Sequence, residues 1–423
     1  MTSHVEAQQL LRQGRVAEAA RLLETILERA PQDQHAINAL ALIALNQRNG
    51  ARALELLQRV PEAEISQVTA HQLGLASELT GDVPAALRFL RRAIAIAPQF
   101  HLARLHLAQT LETSGAREEA AIQYSRALRD AQSTGRWTND STTAPALRAE
   151  IAHAATFVRS YRHQAAAALF EPLAARYGPA SLDRVYECLS IHLNEKPAPL
   201  TDPRQRPVFL FFPGLPASAY FDRSLLPWTA ALEEQTDAIA AELYAVLDGE
   251  AGRERVFTTD ELERQNLRGL DTPPSWNGYY FYRHGERRED NCRACPVTAA
   301  ALDALPLGRV REHGPEVLFS VFTPGTHLLP HRGVTNIRSV AHLPLIIPRD
   351  CALQVGGEIH EWRKGRVVAF DDTFEHEAWN RSDQTRVVLI FDIWNPYLTE
   401  VERAAMSDLV PAIGDFRQAV EAA

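Results

Sequence analysis

The chain has no apolar run long enough to cross a bilayer. Its longest, such as Val208 to Phe212 and Val387 to Phe391, fall far short of the roughly 20 residues a helical span needs. Its first residues, MTSHVEAQQLLRQ, lack the basic stretch followed by an apolar stretch that marks a secretory signal. No membrane association is therefore expected, and the cytoplasm is the expected location. Cysteine is scarce as well. Cys188, Cys292, Cys295 and Cys351 are too few to build a disulfide scaffold in a chain of 423 residues. Cys292-Arg-Ala-Cys295 has the spacing of a zinc or redox pair, but no second Cys pair or His pair accompanies it, so two ordinary thiols are expected. Positive charge is not in excess. The 44 Lys and Arg against 53 Asp and Glu leave a net charge of −9, which argues against a nucleic-acid partner. With neither Gly nor Pro enriched, the composition is that of a globular protein, and the length calls for two or three domains.

The first third repeats itself. Gly14 is followed by Ala19, Leu23 and Pro31 at offsets of 5, 9 and 17, and Gly81 by Ala86, Leu90 and Pro98 at the same offsets. Gly115 stands 34 residues after Gly81, with Ala120 and Tyr124 in the matching places. A weaker copy begins near Arg48, with Ala53 and Leu57 in place and Pro61 arriving early. This period, with a turn Gly, small residues where helices cross and a terminating Pro, resembles the tetratricopeptide repeat. Such an array stacks helix pairs into a solenoid with a concave face. It usually binds a peptide or protein or mediates self-association; the plainer alternative is that it caps the domain that follows. The expected organisation is repeats over 1–130, a helical connector and linker over 131–206 and a second domain over 207–423. Alanine-rich helix is expected around Gln164 to Leu169, and the Pro-rich stretch KPAPLTDPRQRP (196–207) reads as the linker.

After Pro207 the pattern changes to short β-rich runs: Val208 to Phe212, Gly278 to Tyr282, Val317 to Phe322, Ser339 to Ile347, Arg366 to Phe370 and Arg386 to Ile393. One amphipathic helix is expected over Pro227 to Leu247. The fold class is thus multidomain: an all-α solenoid followed by a mainly-β domain, for which a jelly roll of two facing sheets is the natural candidate. Three histidines stand out there. His331 begins His-Arg-Gly, His342 lies on the next alternating strand, and His376 sits in DDTFEHE between two predicted strands. Arg386, ten residues after His376, opens the apolar strand RVVLIFDIW. A cation opening a buried strand needs a partner, and a ligand carboxylate would serve. Two imidazoles with a strand-opening Arg are parts that non-haem iron oxygenases use.

The ordered segments PGTHLLPHRGVTNIRSVAHLPLIIP, VGGE, FDDTFEHEAWN and RVVLIFDIWNP resemble the aspartyl/asparaginyl β-hydroxylase family. The weaker FFPGLPASAYFD and NCRACPVT fit the same order, so the resemblance covers roughly Pro207 to Leu398. It implies a double-stranded β-helix (jelly-roll) core, with Fe(II) and 2-oxoglutarate as cofactor and cosubstrate. It also implies an O2-dependent reaction that couples decarboxylation of the cosubstrate to hydroxylation of an unactivated carbon. The implied iron ligands are His331 and His376. Gly333 stands where most related oxygenases carry an acidic ligand, as is usual for this family. Arg386 is implied to pair with the distal carboxylate of 2-oxoglutarate, with Ser320 and His342 contacting the cosubstrate. Asp371 and Asp372 are expected either to orient a ligand imidazole or to form a solvated turn.

Two positions depart from the family pattern. Val340 and Leu318 stand where cationic residues help grip an acidic substrate side chain, although Arg338 is kept. Pro344 also replaces a common Gly. The expected function is therefore hydroxylation of a peptide or protein side chain that need not be aspartate, with the repeats as the place to bind the client. Two alternatives remain open. One is halogenation through the iron position that Gly333 leaves free; the other is a scaffold whose second domain has lost activity.

Overall fold

The computed structural model describes residues 2–247, 253–269 and 273–423. They form two units, one of the residues up to Ala165 with Asp415–Ala423, the other of Ala166–Gly414. The segment 131–206 is shared between them, because the division falls inside the helix Arg148–Tyr177.

In the first unit, four helix pairs follow one another: Thr2–Arg12 with Val16–Arg29, Gln34–Asn46 with Gly50–Leu57, Gln67–Leu79 with Val83–Ile96, and His101–Thr113 with Arg117–Ser133. Gly14, Gly81 and Gly115 each make the turn within a pair at φ of 76°, 82° and 86°. In the remaining pair Arg48 adopts the same left-handed turn at φ 58°, at a steric cost of roughly 1–2 kcal/mol for a residue with a Cβ. That conformation explains why the copy near Arg48 is faint in sequence yet intact in structure. Ala19, Ala53, Ala86 and Ala120 are fully buried where the helices cross. At Gly74 the approach is closest, since a Cβ there would lie 2.6 Å from Leu90 Cγ.

Strands dominate the second unit. In chain order they are β1 (Arg253–Arg255), β2 (Leu267–Arg268), β3 (Trp276–Arg283), β4 (Glu286–Arg287), β5 (Val317–Phe322) and β6 (His327–His331). They continue as β7 (Arg338–Ile346), β8 (Cys351–Val355), β9 (Glu358–Glu361), β10 (Val368–Phe370), β11 (His376–Asn380) and β12 (Arg386–Trp394). One antiparallel sheet runs β1-β3-β5-β12-β7-β10 with β4 beside β3, and the other runs β2-β6-β11-β8-β9. The larger sheet is buried on both faces. Val317, Phe319 and Val321 of β5 pack with Ile239, Leu243 and Leu302 from the covering helices Thr236–Leu247 and Pro296–Asp303. Phe322 of β5 and Val388 of β12 instead pack with Leu328, Leu353 and Ala378 of the smaller sheet. Cys292 and Cys295 are buried thiols in the first of these cores.

Several sequence expectations need correction. Val208–Phe212 is not a ladder strand: Leu210 makes a single bridge to Thr335, and Asn336 clasps both backbone groups of Phe212 through its amide. The helix expected over 227–247 is two, Thr229–Glu234 and Thr236–Leu247, interrupted at Gln235. His376 opens a strand rather than lying between strands. The smaller sheet was missed almost entirely, because its strands are short and carry exposed or half-buried polar residues such as Glu358, His360 and Glu377. The stretch 196–207 is irregular, but its end is pinned: Gln205 is buried and donates to Asp371, and the Arg206 N–H donates to the Thr373 carbonyl. Pro344 sits inside β7, where the pairing with β12 shifts register beside Val388, as expected where a ladder donor is missing.

Gly74→Val is expected to cost about 1–3 kcal/mol by overpacking. The check is urea unfolding followed by helical circular dichroism; an unchanged midpoint would show that Leu90 can yield.

Candidate active site

His331 closes β6 and His376 opens β11, and the two are direct partners in the antiparallel register. Their rings lie 4.0 Å apart, centroid to centroid, tilted by 51°. Each ring is held in the same way. The His331 Nδ1 lies 2.9 Å from the Leu329 carbonyl, and the His376 Nδ1 lies 3.1 Å from that of Phe374. A carbonyl can only accept, so Nδ1 carries the proton in both rings and each Nε2 keeps its lone pair. Burial lowers the pKa of both, that of His376 to about 3, so the rings are neutral at ordinary pH. Neutral imidazoles with anchored Nδ1–H groups are in the state that binds a metal.

His331 and His376 are the pair that could hold a metal here; among the described residues no group of three or more His, Cys, Asp or Glu is arranged as a metal site. The backbone around Gly333 explains the missing third. Its N–H donates to the Asp372 carbonyl at 2.7 Å, and a Cβ on it would fall 2.0–2.3 Å from the atoms of the Asp372 carboxylate. A side chain at 333 has no room because the Asp372 side chain is already there. Burial and the neighbouring Asp371 push the Asp372 carboxyl well above its ordinary range. Asp371 has a different task. It accepts from the Thr373 N–H and hydroxyl and from the Gln205 amide, which is the bonding of a buried turn rather than of an imidazole support.

Phe370 links the imidazole pair to a second group of polar side chains, with its ring 5.5 Å from His376 and 5.1 Å from His342. Arg386 is 1% exposed. Its guanidinium lies against two aromatic rings, with Cζ 3.8 Å from the Phe322 centroid and 4.6 Å from that of Trp362. Nη1 reaches Ser320 Oγ at 3.3 Å, yet Nε has no partner and no carboxylate pairs with it among the described residues. Burial lowers its pKa to about 9. His342 Nδ1 and Trp362 Nε1 are likewise buried without a partner. Ser320 Oγ accepts from Trp276 Nε1 at 2.9 Å as well as from Arg386, which leaves its own O–H free to donate. A buried cation among several buried, unpaired polar atoms suits an anionic ligand, since leaving them unsatisfied is costly.

The chain thus brings Ser320, His342 and Arg386 together, and His331 and His376 together nearby. Trp276 and Trp362 escaped the sequence reading, which carried no periodic or motif signal for them. Leu318 is buried beside Gly278 and Tyr280, and Val340 is half-buried on β7 opposite Phe370. Arg338 is occupied elsewhere, bonded to the Asp392 carboxylate at 2.7 Å and the His313 carbonyl at 2.9 Å.

Gly333→Asp is expected to weaken Mn(II) binding by about 10–100-fold, the range seen when groups behind metal ligands are disturbed. Adding Asp372→Gly should recover it. Isothermal titration decides the point, and tighter binding by the single variant would refute the steric argument.

Residues 233–396 match the family described as aspartyl/asparaginyl beta-hydroxylase, and residues 10–72 match the tetratricopeptide repeat. An ornithine lipid ester-linked acyl 2-hydroxylase of Rhizobium tropici is 36% identical over 179 residues, covering 42% of this chain and 60% of that protein. The human aspartyl/asparaginyl beta-hydroxylase is 33% identical over 177 residues, covering 42% of this chain and 22% of that protein. Aspartate beta-hydroxylase domain-containing protein 2 of Xenopus tropicalis is 32% identical over 244 residues, covering 56% of this chain and 62% of that protein. The chain therefore spans less than two thirds of each of these relatives. The mainly-β unit with the paired histidines thus carries a domain, residues 233–396, similar to the aspartyl/asparaginyl beta-hydroxylase family, in a chain whose helical unit matches the tetratricopeptide repeat.

Proposed function

We propose that the chain is an Fe(II)- and 2-oxoglutarate-dependent hydroxylase acting on an unactivated carbon in an apolar setting. The observation that carries this reading is the buried guanidinium of Arg386, with no carboxylate partner among the described residues, near a pair of neutral imidazoles. His331 and His376 hold the metal through Nε2. Bound iron supplies the oxidising chemistry that couples O2 and decarboxylation of 2-oxoglutarate to hydroxylation. Arg386 pairs with the distal carboxylate of the cosubstrate, Ser320 donates its free O–H and His342 lines the same chamber. The surrounding Phe322, Phe370 and Trp362 exclude water, which strengthens each of these contacts. The Asp372 carboxylate takes up the space beside Gly333, which disfavours chloride there and hence halogenation. Intact ligand and anion residues likewise disfavour an inactive scaffold.

For the substrate, Leu318 and Val340 remove charge, and Arg338 is spent on Asp392. These features favour an apolar group such as an acyl chain, in keeping with the name of the Rhizobium relative. A peptide or protein side chain is the second reading, favoured by the repeats.

Protein reconstituted with iron under anaerobic conditions is expected to form succinate from 2-oxoglutarate once O2 is admitted. His376→Ala should abolish that turnover. Acyl lipids should stimulate it more than Asp-containing peptides, with the product gaining one oxygen atom by mass spectrometry; the reverse order would favour the peptide reading.

Arg386→Met separates binding from stability. Removing an unpaired buried cation is expected to stabilise the metal-free protein by about 1–4 kcal/mol in urea unfolding. The same variant should lose 2-oxoglutarate binding by calorimetry. A destabilised variant would mean that the guanidinium is already satisfied without a ligand.

A further inference from the structure

Trp362 follows the edge strand β9 and is 5% exposed, with its indole Nε1 buried and unpartnered. Its ring lies against the Arg386 guanidinium, which also lies over Phe322. The same ring is 5.8 Å from that of His342. A guanidinium donates in its own plane, so the edge of Arg386 is what a ligand would meet. Arg386 Nε and His342 Nδ1 are also without partners. Three unsatisfied buried nitrogens therefore belong to residues in mutual ring contact. A buried indole N–H normally finds an acceptor, and among the described residues none supplies one here.

We infer that Trp362 is a cosubstrate-binding residue whose indole N–H donates to the distal carboxylate of 2-oxoglutarate, alongside the edge of Arg386. This rests on the proposed function and deepens it. The role is one of specificity, because a donor at that end of the ligand rewards a dicarboxylate and is indifferent to a keto acid lacking the second carboxylate. It also gives the ring two tasks in one side chain: desolvating the guanidinium and completing the recognition of its partner.

The test is Trp362→Phe, which keeps an aromatic face over Arg386 and removes the N–H. Binding to the manganese-loaded full chain is measured by calorimetry with two probes, 2-oxoglutarate and 2-oxopentanoate, which has the same chain length without the distal carboxylate. The variant is expected to bind 2-oxoglutarate about 10–100-fold more weakly, the effect of losing a hydrogen bond to a charged acceptor, and 2-oxopentanoate as the wild type does. Equal loss for both probes would reduce Trp362 to packing and overturn the inference, as would no loss for either. Should Trp362→Phe fail to fold, benzothienylalanine placed site-specifically at 362 preserves the shape, lacks the N–H and carries the same comparison. Wild-type protein that binds no 2-oxoglutarate at all would sink the proposed function itself. The wild type binding it while the variant is unchanged would sink only the role of Trp362.

Discussion

The antiparallel pairing of β6 with β11 is the constraint on which the site depends, because it sets His331 directly opposite His376. Two imidazoles this close disfavour charge on both rings, and burial disfavours the protonated form further. That outweighs the carbonyl two residues back that accepts from Nδ1 of each ring, which fixes the tautomer and by itself favours protonation. The strand pair is irregular at this point, with a register shift between His376 and Ala378. A bulge of this kind re-aims a side chain at a strand end. Gly333 belongs to the same constraint. Its N–H is bonded to the Asp372 backbone, and the space for a side chain is filled from that neighbour, so the turn after β6 and the turn before β11 are fitted to each other.

Arg386 shows the opposite economy. Desolvating a guanidinium costs several kcal/mol. Stacking against Phe322 and Trp362 returns roughly 2 kcal/mol for a desolvated cation over a ring, and the long contact to Ser320 adds little more. Among the protein's own described groups the guanidinium therefore sits at a net cost, which on the proposed function a ligand carboxylate would offset. The large sheet can bear that cost because it is buried on both faces, with one apolar core against the helices and another against the smaller sheet.

Legibility in the sequence followed burial. The strands of the larger sheet read as apolar runs because both of their faces are dry, and Val317–Phe322 was placed to the residue. The smaller sheet has one wetter face, so its runs mix Glu and His with apolar residues and left no pattern. The repeats were legible through Gly14, Gly81 and Gly115, whose left-handed turns select glycine; the pair that turns at Arg48 was faint for the same reason. His331, His376 and Arg386 were found through motif order, and their proximity could not have been read from spacing alone. Trp362 and Gln205 were missed because their importance lies in what they touch. Asp371, expected either to orient an imidazole or to sit in a solvated turn, holds a buried turn together with Gln205, a partner 166 residues away in the chain.

The loss of charge at the substrate-facing positions goes further than two substitutions. Arg338 is the cation that remains, and it is committed to Asp392 across β7 and β12, with a second bond to the His313 carbonyl. Freeing it to grip an acidic substrate would leave Asp392 buried and unpaired, a penalty of roughly 3–5 kcal/mol. A surface substrate contact rarely returns that much. Leu318 is sealed under Tyr280 and offers no polar group, and Val340 lies on the apolar cluster between the sheets. On the proposed function Arg386 would be consumed by a dicarboxylate cosubstrate. Oxidation and recognition of a carboxylate substrate are therefore separable demands on such a fold, and Leu318, Val340 and the committed Arg338 supply nothing for the second.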